Sequence, residues 1–402
     1  MRPYIMVFEV NTMLSIEKKL LDWCQKHMLL LFTAAISFLA YRIRYNGMNM
    51  TSVDYWSCLD PWFTTIASNG GLSAISQQVG NYNVLYQLLI ALLTYIPAYS
   101  LYLYKWLSVA FDYLLAIAAG FTAYELCRQK LKAVLVYCAV LLLPSVFIDS
   151  AYWAQCDSIY CFFLVLSLYC LLKERYTLTF LFFAVAFQFK LQAIFFMPFL
   201  LYAYARTRRF SLLQFLWVPA LGVAICLLCG RGPLDSITIY LDQTNVQPGM
   251  AHNFPSVWNM ITSSYEFFRG TALMLTVSIL GVGLLLILHT QLPFTRENTF
   301  NVLIWSLWTC LLFLPSMHER YAYLLIILLA ICAILNFREM GLYWLGCEMI
   351  ILLCYARCLW NDTYAEQISP YLYSLAFLAL YLSFTHRRFF EKKVWLTEDV
   401  SR

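Results

Sequence analysis

Ionisable and amide side chains gather in five short stretches that interrupt long apolar runs. The last stretch, PSMHERYAYLL at 315–325, puts His318, Glu319 and Arg320 side by side. The other four lie at 50–63, 150–160, 187–192 and 230–270. Charged groups are costly in a membrane and mark a functional site by default. Carboxylates beside fixed cations can take a proton from a hydroxyl group and stabilise a departing anion.

Asp54, in the stretch MTSVDYWSCLDPWF, is the best candidate for a general base, with Trp56 nearby as a surface for a sugar ring. The alternative is a structural aspartate that caps a helix or closes a turn. Asp60 is the neighbouring rival. We predict the structural role for Asp60, because Pro61 follows it and proline is favoured in the first turn of a helix.

Four side chains are candidate ligands of an anionic phosphate, namely Lys190, Gln192, His318 and Arg320. Segments 177–189 and 191–204 are each too short to cross a bilayer, so a chain that enters and returns would leave Lys190 at its deep tip. The alternative is one long tilted helix from which the ammonium group snorkels or pairs with an acid. Arg320 offers a planar fork suited to phosphate oxygens, and His318 can donate as a cation or as a neutral ring.

Supporting side chains are predicted around these groups. Glu319 would orient Arg320, although the two could also form an ion pair that only anchors a helix end. Asp157 opens a predicted helix and is a candidate sugar-binding acid, with capping of that helix as the alternative. Beside it, Trp153 offers a stacking surface and Gln155 offers an amide.

The long stretch 230–270 carries a weaker signal. His252, Asn253 and Asn259 are predicted to close over an acceptor, with the Pro-Gly pair at 248–249 as a hinge. No D-x-D or H-x-x-x-H spacing is present in the sequence. We therefore predict no cofactor and no metal site, and a divalent ion is left open.

The amino-acid composition indicates whether these groups lie in a soluble or a membrane protein. Of the 402 residues, 62% are hydrophobic and 12% are charged, which is far more apolar than a globular protein. Runs of about 17 to 20 apolar residues recur, long enough as helices to cross about 30 Å of hydrocarbon. The sequence therefore predicts an all-α polytopic membrane protein. Asp112 and Glu348 lie within these runs and are predicted to face other helices.

Clusters of lysine and arginine give the predicted orientation, because basic loops stay on the cytoplasmic side. Keeping the clusters inside yields about 12 transmembrane segments, two of which form a short broken pair. They are predicted at 27–44, 104–124, 133–149, 158–173, a broken pair within 177–204, 211–229, 271–289, 300–316, 321–337, 341–357 and 369–385. The apolar segment 83–102 is left over and is predicted to lie as a helix on the external face. Arg42 and Arg44 depart from the charge rule.

Six motifs follow one another in an order that resembles a known family. They are Asp54, PWF at 61–63, GNYNVLY at 80–86, WAQCDSIY at 153–160, FKLQAIFFMP at 189–198 and PSMHERY at 315–321. Together they resemble the glycosylphosphatidylinositol-type mannosyltransferases of the GT-C glycosyltransferase superfamily. That resemblance implies a GT-C fold with external juxtamembrane helices and the catalytic aspartate in the first external loop, where Asp54 stands. Ala154 departs from the W-G-Q-C-D pattern of such sequences and adds a methyl group at a tight turn.

The resemblance also implies a domain organisation. Residues 1–26 would be a cytoplasmic amphipathic segment, 27–385 the GT-C transmembrane catalytic domain and 386–402 a cytoplasmic tail. The first external loop would span 45–103, and the large external loop would span 230–270.

The function implied is that of a hexosyltransferase that moves a monosaccharide from a polyprenyl-phosphate donor to a lipid-linked or cell-envelope glycan. Expected partners are this donor, a glycan or glycolipid acceptor and membrane lipids, and not nucleic acid. Mannose follows from the family, whereas glucose, galactose and N-acetylglucosamine stay open. The compact size favours a bacterial plasma membrane with the site on the external face. Alternatives are a membrane polysaccharide polymerase and a lipid-linked sugar transporter or flippase, the latter of which would place its ionisable groups near the bilayer midplane.

Overall fold

A computed structural model describes residues 14–243, 248–261, 263–290, 292–360 and 368–391 of the chain. Within these ranges the protein is almost entirely helical. The first nine α-helices are α1 Ser15–Lys26, α2 Met28–Gly47, α3 Asp60–Ser68, α4 Val84–Leu93, α5 Ser100–Cys127, α6 Lys130–Leu142, α7 Pro144–Phe147, α8 Asp157–Leu172 and α9 Tyr176–Phe189. The next nine are α10 Met197–Thr207, α11 Trp217–Leu228, α12 Asp235–Gln243, α13 Trp258–Ile261, α14 Tyr265–His289, α15 Arg296–Phe313, α16 Tyr323–Leu335, α17 Phe337–Leu359 and α18 Pro370–Thr385.

Short irregular turns and one pair of strands connect these helices. The 3-10 turns are Gly71–Ser76, Leu191–Phe196 and Leu212–Leu216, and the π-helical turns are Tyr55–Leu59, Ile148–Tyr152 and His386–Phe390. Strands β1 Ala251–His252 and β2 Met317–His318 pair in parallel, with His252 opposite His318. This small ladder joins the two loops that precede α13 and α16.

Several helices are long and apolar enough to span a membrane. In the described part of the chain they number four, namely α2, α5, α14 and α17. A fifth span is possible if α6 and the segment Pro144–Tyr152, which are bent by 48° at a break, are taken together. The break falls at Pro144, which has no N–H to donate to a continuing helix. The prediction of an all-α membrane protein is therefore confirmed at this level.

The other predicted spans correspond to shorter helices. Helix α8 has 16 residues, about 24 Å of length against about 30 Å of hydrocarbon. Helices α9 and α16 have 14 and 13 residues. The full set of 12 transmembrane segments thus stays a prediction.

Helix α16 forms the centre of the bundle. All its residues from Tyr323 to Ala333 are buried, and it contacts α5, α6, α8, α15 and α17. An apolar helix is equally stable against lipid or against other helices, and here neighbouring helices cover it on all sides. The segment that carries His318 and Arg320 leads directly into this fixed element.

Helices α9 and α10 confirm the predicted entry and return of the chain. Tyr176 at the start of α9 and Tyr204 near the end of α10 both contact the ring of Phe210, at centroid distances of 5.0 and 5.8 Å. Between the helices the backbone of Lys190 is extended, with φ −146° and ψ 139°. Lys190 therefore stands at the turn of a hairpin, and the alternative of one continuous helix is wrong.

Several predicted basic clusters meet at one end of the bundle, which we call the basic end. Glu125, near the end of α5, forms ion pairs with Arg128, Lys173 and Arg296. Asp157 begins α8 and Lys173 follows its last residue. The site residues described below consequently lie at the opposite end of the bundle.

Arg44 departs from the charge rule because its charge is compensated inside the bundle. Its Nε donates to Asp112 Oδ2 at 2.8 Å, and both side chains are fully buried. Glu348 accepts hydrogen bonds from the backbone N–H and hydroxyl of Ser145, at 2.9 and 2.8 Å. Asp112 and Glu348 thus face other helices, as predicted.

The segment 83–102 is not one helix. Helix α4 stops at Leu93, the chain leaves helical geometry around Pro97, and α5 starts at Ser100. The ten residues of α4 extend about 15 Å, too short to cross a bilayer. Helix α4 packs against α3, α9, α11 and the turn Gly71–Ser76.

Thiol labelling tests which end faces the cytoplasm. In a background without the accessible native cysteines, Ser73→Cys should react with an impermeant reagent on intact cells, and Lys130→Cys should react only after permeabilisation. Both side chains are exposed, and they lie at opposite ends of the bundle. Labelling of position 130 on intact cells would reverse the orientation inferred from the basic clusters.

Candidate functional site

The carboxylate of Asp54 is held by two neutral donors. Trp153 Nε1 and Gln155 Nε2 donate to Asp54 Oδ2 at 3.0 and 2.9 Å. Arg320 Nη2 lies 3.9 Å from the same oxygen. The carboxylate is thus fixed in position by two hydrogen bonds while its side chain stays 39% exposed.

Two irregular turns bring these groups together. Asp54 immediately precedes the π-helical turn Tyr55–Leu59, and a second π-helical turn, Ile148–Tyr152, precedes Trp153. Such turns redirect side chains that a regular helix would carry elsewhere. Ala154 has φ +65°, a conformation that favours glycine. The tight turn expected at this position is therefore present and is built with alanine.

Arg320 connects most of the charged groups. Its Nη1 donates to Gln155 Oε1 at 2.6 Å and lies 3.5 Å from Asp157 Oδ2, and its Nε lies 3.6 Å from Glu319 Oε1. Its guanidinium carbon is 5.3 Å from the centre of the Trp153 ring. Glu319 thus stands beside Arg320, as the orienting role requires. The pair lies inside the charged cluster, whereas a simple interfacial anchor would have few other partners.

Lys190 and Asp157 form the most buried ion pair of the site. Their atoms Nζ and Oδ2 are 2.8 Å apart, and the side chains are 4% and 0% exposed. No capping hydrogen bond from a side chain is present at the start of α8, so Asp157 serves the ion pair. The suggested pairing of Lys190 with an acid is confirmed, although it occurs at a hairpin tip.

Burial changes the proton affinity of the two residues before Arg320. It lowers the pKa of His318 to about 3, with further contributions from Arg320, His252 and Lys190. The ring of His318 is therefore neutral at physiological pH, so the neutral form is favoured over the cation. Burial raises the pKa of Glu319, and Arg320 opposes this shift.

These groups line one part of a cavity of about 570 Å³. Its polar lining includes Asp54, Gln155, Lys190, His318 and Arg320. Lys190 Nζ also faces the ring of Tyr82 at 5.5 Å, and the Tyr82 hydroxyl donates to Gln155 Oε1 at 3.3 Å. A carboxylate, two cations and hydrogen-bonding groups therefore share one space.

One largely apolar part of the cavity wall comes from one face of α14. The residues on this face recur every one to four positions and are Tyr265, Arg269, Leu273, Thr276, Val277 and Leu280. From Tyr265 to Leu280 they extend about 22 Å along the helix. Leu273 and Val277 are 42% and 67% exposed. The cavity therefore has an accessible apolar wall on a helix that is long enough to span a membrane.

Seven predicted site residues do not line this cavity. Three of them, Trp153, Asp157 and Glu319, contact residues that do, and the other four are Trp56, His252, Asn253 and Asn259. Trp56 is 56% exposed and packs against the ring of Tyr55. Asn259 Nδ2 donates to Phe254 O and Ser374 Oγ, so its amide joins the loop to α18. The ring of His252 stacks on the ring of His318, with the centroids 4.5 Å apart, and helps to hold it in place.

Asp60 makes structural contacts, as predicted, but it does so through side-chain hydrogen bonds and not by capping a helix. It caps no helix, because it is itself the first residue of α3 and no side-chain cap is formed there. Its Oδ1 accepts hydrogen bonds from the hydroxyls of Tyr55 and Ser100, at 3.0 and 2.7 Å. Asp60 thereby ties the loop of Asp54 to the start of α5.

The cavity is also lined by polar residues that the sequence did not predict, among them Asn81, Tyr82, Gln243, Tyr265 and Arg269. The first two stand in the motif GNYNVLY, where the amide and phenol were a usable signal. Arg269 lies in the second turn of the apolar helix α14. A single cation near the end of such a helix is typical of an interfacial anchor, so no site was evident there from the sequence.

No protein-family model and no curated protein matches this chain. No group of three His, Cys, Asp or Glu side chains suited to a metal ion occurs among the residues that the structure describes. The fold and the site together define an all-α membrane protein with a charged cavity at one end of its bundle.

Proposed function

We propose that this protein is an integral-membrane glycosyltransferase that moves a monosaccharide from a polyprenyl-phosphate donor to a glycan acceptor. One observation carries the proposal. A fixed carboxylate, Asp54, a buried cation, Lys190, and a partly buried one, Arg320, line the same cavity as an apolar helix face. A lipid phosphate sugar has the matching parts, which are an apolar chain, an anion and a reacting carbon.

The reaction assigns a role to each group. Asp54 takes the proton of the acceptor hydroxyl as the hydroxyl oxygen forms a bond to C1 of the sugar. The bond from C1 to the phosphate oxygen breaks, and its electron pair leaves with the lipid phosphate. Both donors to Asp54 reach Oδ2, so Oδ1 is the oxygen proposed to take the proton.

The cations stabilise the phosphate that departs. Lys190 and Arg320 keep their positions through Asp157, Gln155 and Glu319 before any substrate binds. Prearranged charge needs no reorganisation during the reaction and can lower the barrier by several kcal/mol. His318, neutral at physiological pH, would act as a hydrogen-bond donor to the phosphate.

The arrangement favours this function over the two alternatives. A transporter or flippase would hold its ionisable groups near the bilayer midplane, whereas these lie at one end of the bundle. A polymerase would use a lipid pyrophosphate that carries an oligosaccharide. The test offers purified protein in nanodiscs a mannosyl, glucosyl or galactosyl lipid monophosphate and measures the lipid phosphate released. Turnover only with a lipid-pyrophosphate oligosaccharide would make the protein a polymerase, and no turnover with either would reject the transferase.

Arg320→Lys should weaken donor binding and lower the rate together. An ammonium group cannot reproduce two parallel hydrogen bonds to phosphate oxygens, nor can it reach Gln155, Asp157 and Glu319 at once. Glu319→Gln should be milder, because an amide can still contact Arg320. Binding of lipid phosphate and turnover are measured for both variants.

The control is Arg388→Lys, a buried arginine that contacts Glu339 at 3.3 Å away from the cavity. It should keep donor affinity if it folds. Unchanged donor affinity in Arg320→Lys would return the motif at 317–321 to the role of a helix anchor.

A further inference from the structure

Three carboxamide side chains line the cavity and have a buried oxygen without a hydrogen-bond partner in the described ranges. They are Asn81, Gln192 and Gln243. Gln192 is 8% exposed. A buried acceptor that stays unpaired costs about 1 to 3 kcal/mol. Three such groups around one cavity indicate a ligand that donates hydrogen bonds.

A hydrogen-bond acceptor on the protein interacts differently with the phosphate and with the sugar of the lipid-linked donor. A phosphate oxygen is itself an acceptor and gains nothing from a carboxamide oxygen. A sugar hydroxyl can donate to that oxygen and accept from the adjacent amide nitrogen. The oxygen of Gln192, predicted above as a phosphate ligand, can serve a sugar hydroxyl in the same way.

Two of the three amides also lie close along the chain to groups of the charged cluster. Asn81 precedes Tyr82, whose hydroxyl donates to Gln155, the residue that holds Asp54. Gln192 follows Lys190 by two positions in the 3-10 turn of the hairpin. The ring of Trp62 packs on Tyr82 at 5.4 Å, and both rings line the cavity. Aromatic rings beside amides provide an apolar face and hydrogen bonds for a sugar ring.

We propose that Asn81, Gln192 and Gln243 bind the hydroxyl groups of the transferred sugar and make the site selective for a hydroxyl-rich hexose. This inference rests on the proposed function, since it places the sugar in the cavity that Asp54 and the two cations line. It adds the groups that recognise the sugar to those that hold the phosphate.

The test separates sugar recognition from phosphate binding with two ligands. Farnesyl phosphate carries the anion alone, and its mannosyl, glucosyl and galactosyl esters add the sugar. Asn81→Leu, Gln192→Met and Gln243→Met each keep the approximate size of the side chain. Each should weaken binding of the preferred sugar ester about two- to tenfold, and the triple variant on the order of a hundredfold if the effects add. Affinity for farnesyl phosphate should stay unchanged.

Unchanged affinity for farnesyl phosphate also demonstrates that the variants fold. Gln25→Met, on the exposed helix α1, is the matched control and should change neither affinity. Sugar esters that lack one hydroxyl refine the assignment. If a substituted amide was the partner of that hydroxyl, the variant should bind the sugar esters with and without the hydroxyl equally well.

Three outcomes would overturn the inference. Equal losses for both ligands would place the amides in the phosphate site or in the fold. No loss for the sugar ester, with turnover intact in the wild type, would reject the sugar role and leave the transferase standing. A wild-type protein that binds both ligands equally and turns over neither would reject the inference and the proposed function together.

Discussion

Asp54→Asn should abolish sugar transfer while donor binding and the fold stay nearly intact. The amide has the shape of the carboxylate, and its oxygen can still accept from Trp153 and Gln155. It cannot take the proton of the acceptor, so turnover should fall by about a hundredfold or more. Release of lipid phosphate is the activity readout, and binding of lipid phosphate is the control readout.

Asp60→Asn is the matched control for this variant. Asp60 lies six positions away and holds the hydroxyls of Tyr55 and Ser100, so its loss should affect stability more than chemistry. Turnover close to normal in Asp54→Asn, or an equal loss of activity in both variants, would remove Asp54 from the role of base.

Lys190→Met should destabilise the protein strongly. Asp157 is fully buried, and Lys190 is its nearest cation at 2.8 Å. Removing one partner leaves a buried charge without compensation, a loss that typically costs about 3 to 5 kcal/mol. Arg320, 3.5 Å from Asp157, reduces the loss only in part. The midpoint of thermal unfolding in detergent should fall accordingly.

A double variant separates this electrostatic effect from simple loss of packing. Asp157→Asn combined with Lys190→Met removes both charges and should recover much of the lost stability, without restoring activity. The control is Lys132→Met at the basic end, where Nζ donates to the Leu335 carbonyl at 3.0 Å. If the double variant were no more stable than Lys190→Met, the ion pair would not be the cause.

The grouping of the charged residues was predictable because the basic clusters sort the polar stretches to one side. Asp54, Asp157, Lys190 and Arg320 come from four distant stretches, and the structure brings all four together. The hairpin around Lys190 followed from the lengths of the two segments and from the basic clusters that flank them. Each of these predictions requires only the end of the bundle at which a residue lies, and not the direction in which its side chain points.

Side-chain direction was the part that the sequence could not supply. Trp56 lies within the π-helical turn after Asp54, which rotates it outward, and Asn259 is used for contacts with a distant helix. The lengths of the helices were also overestimated. Proline interrupts apolar runs that hydropathy counts as continuous, as around Pro97 and at Pro144.

The exposed apolar residues of the α14 wall have a consequence for how affinity is expressed. Leu273 and Val277 line the cavity and are 42% and 67% exposed. The proposed lipid-linked donor would therefore enter along α14 without leaving the bilayer. Its encounter with the site is then a search in two dimensions. The quantity that governs occupancy is the mole fraction of the substrate among the lipids, and dilution of the proteoliposomes in buffer should leave it unchanged.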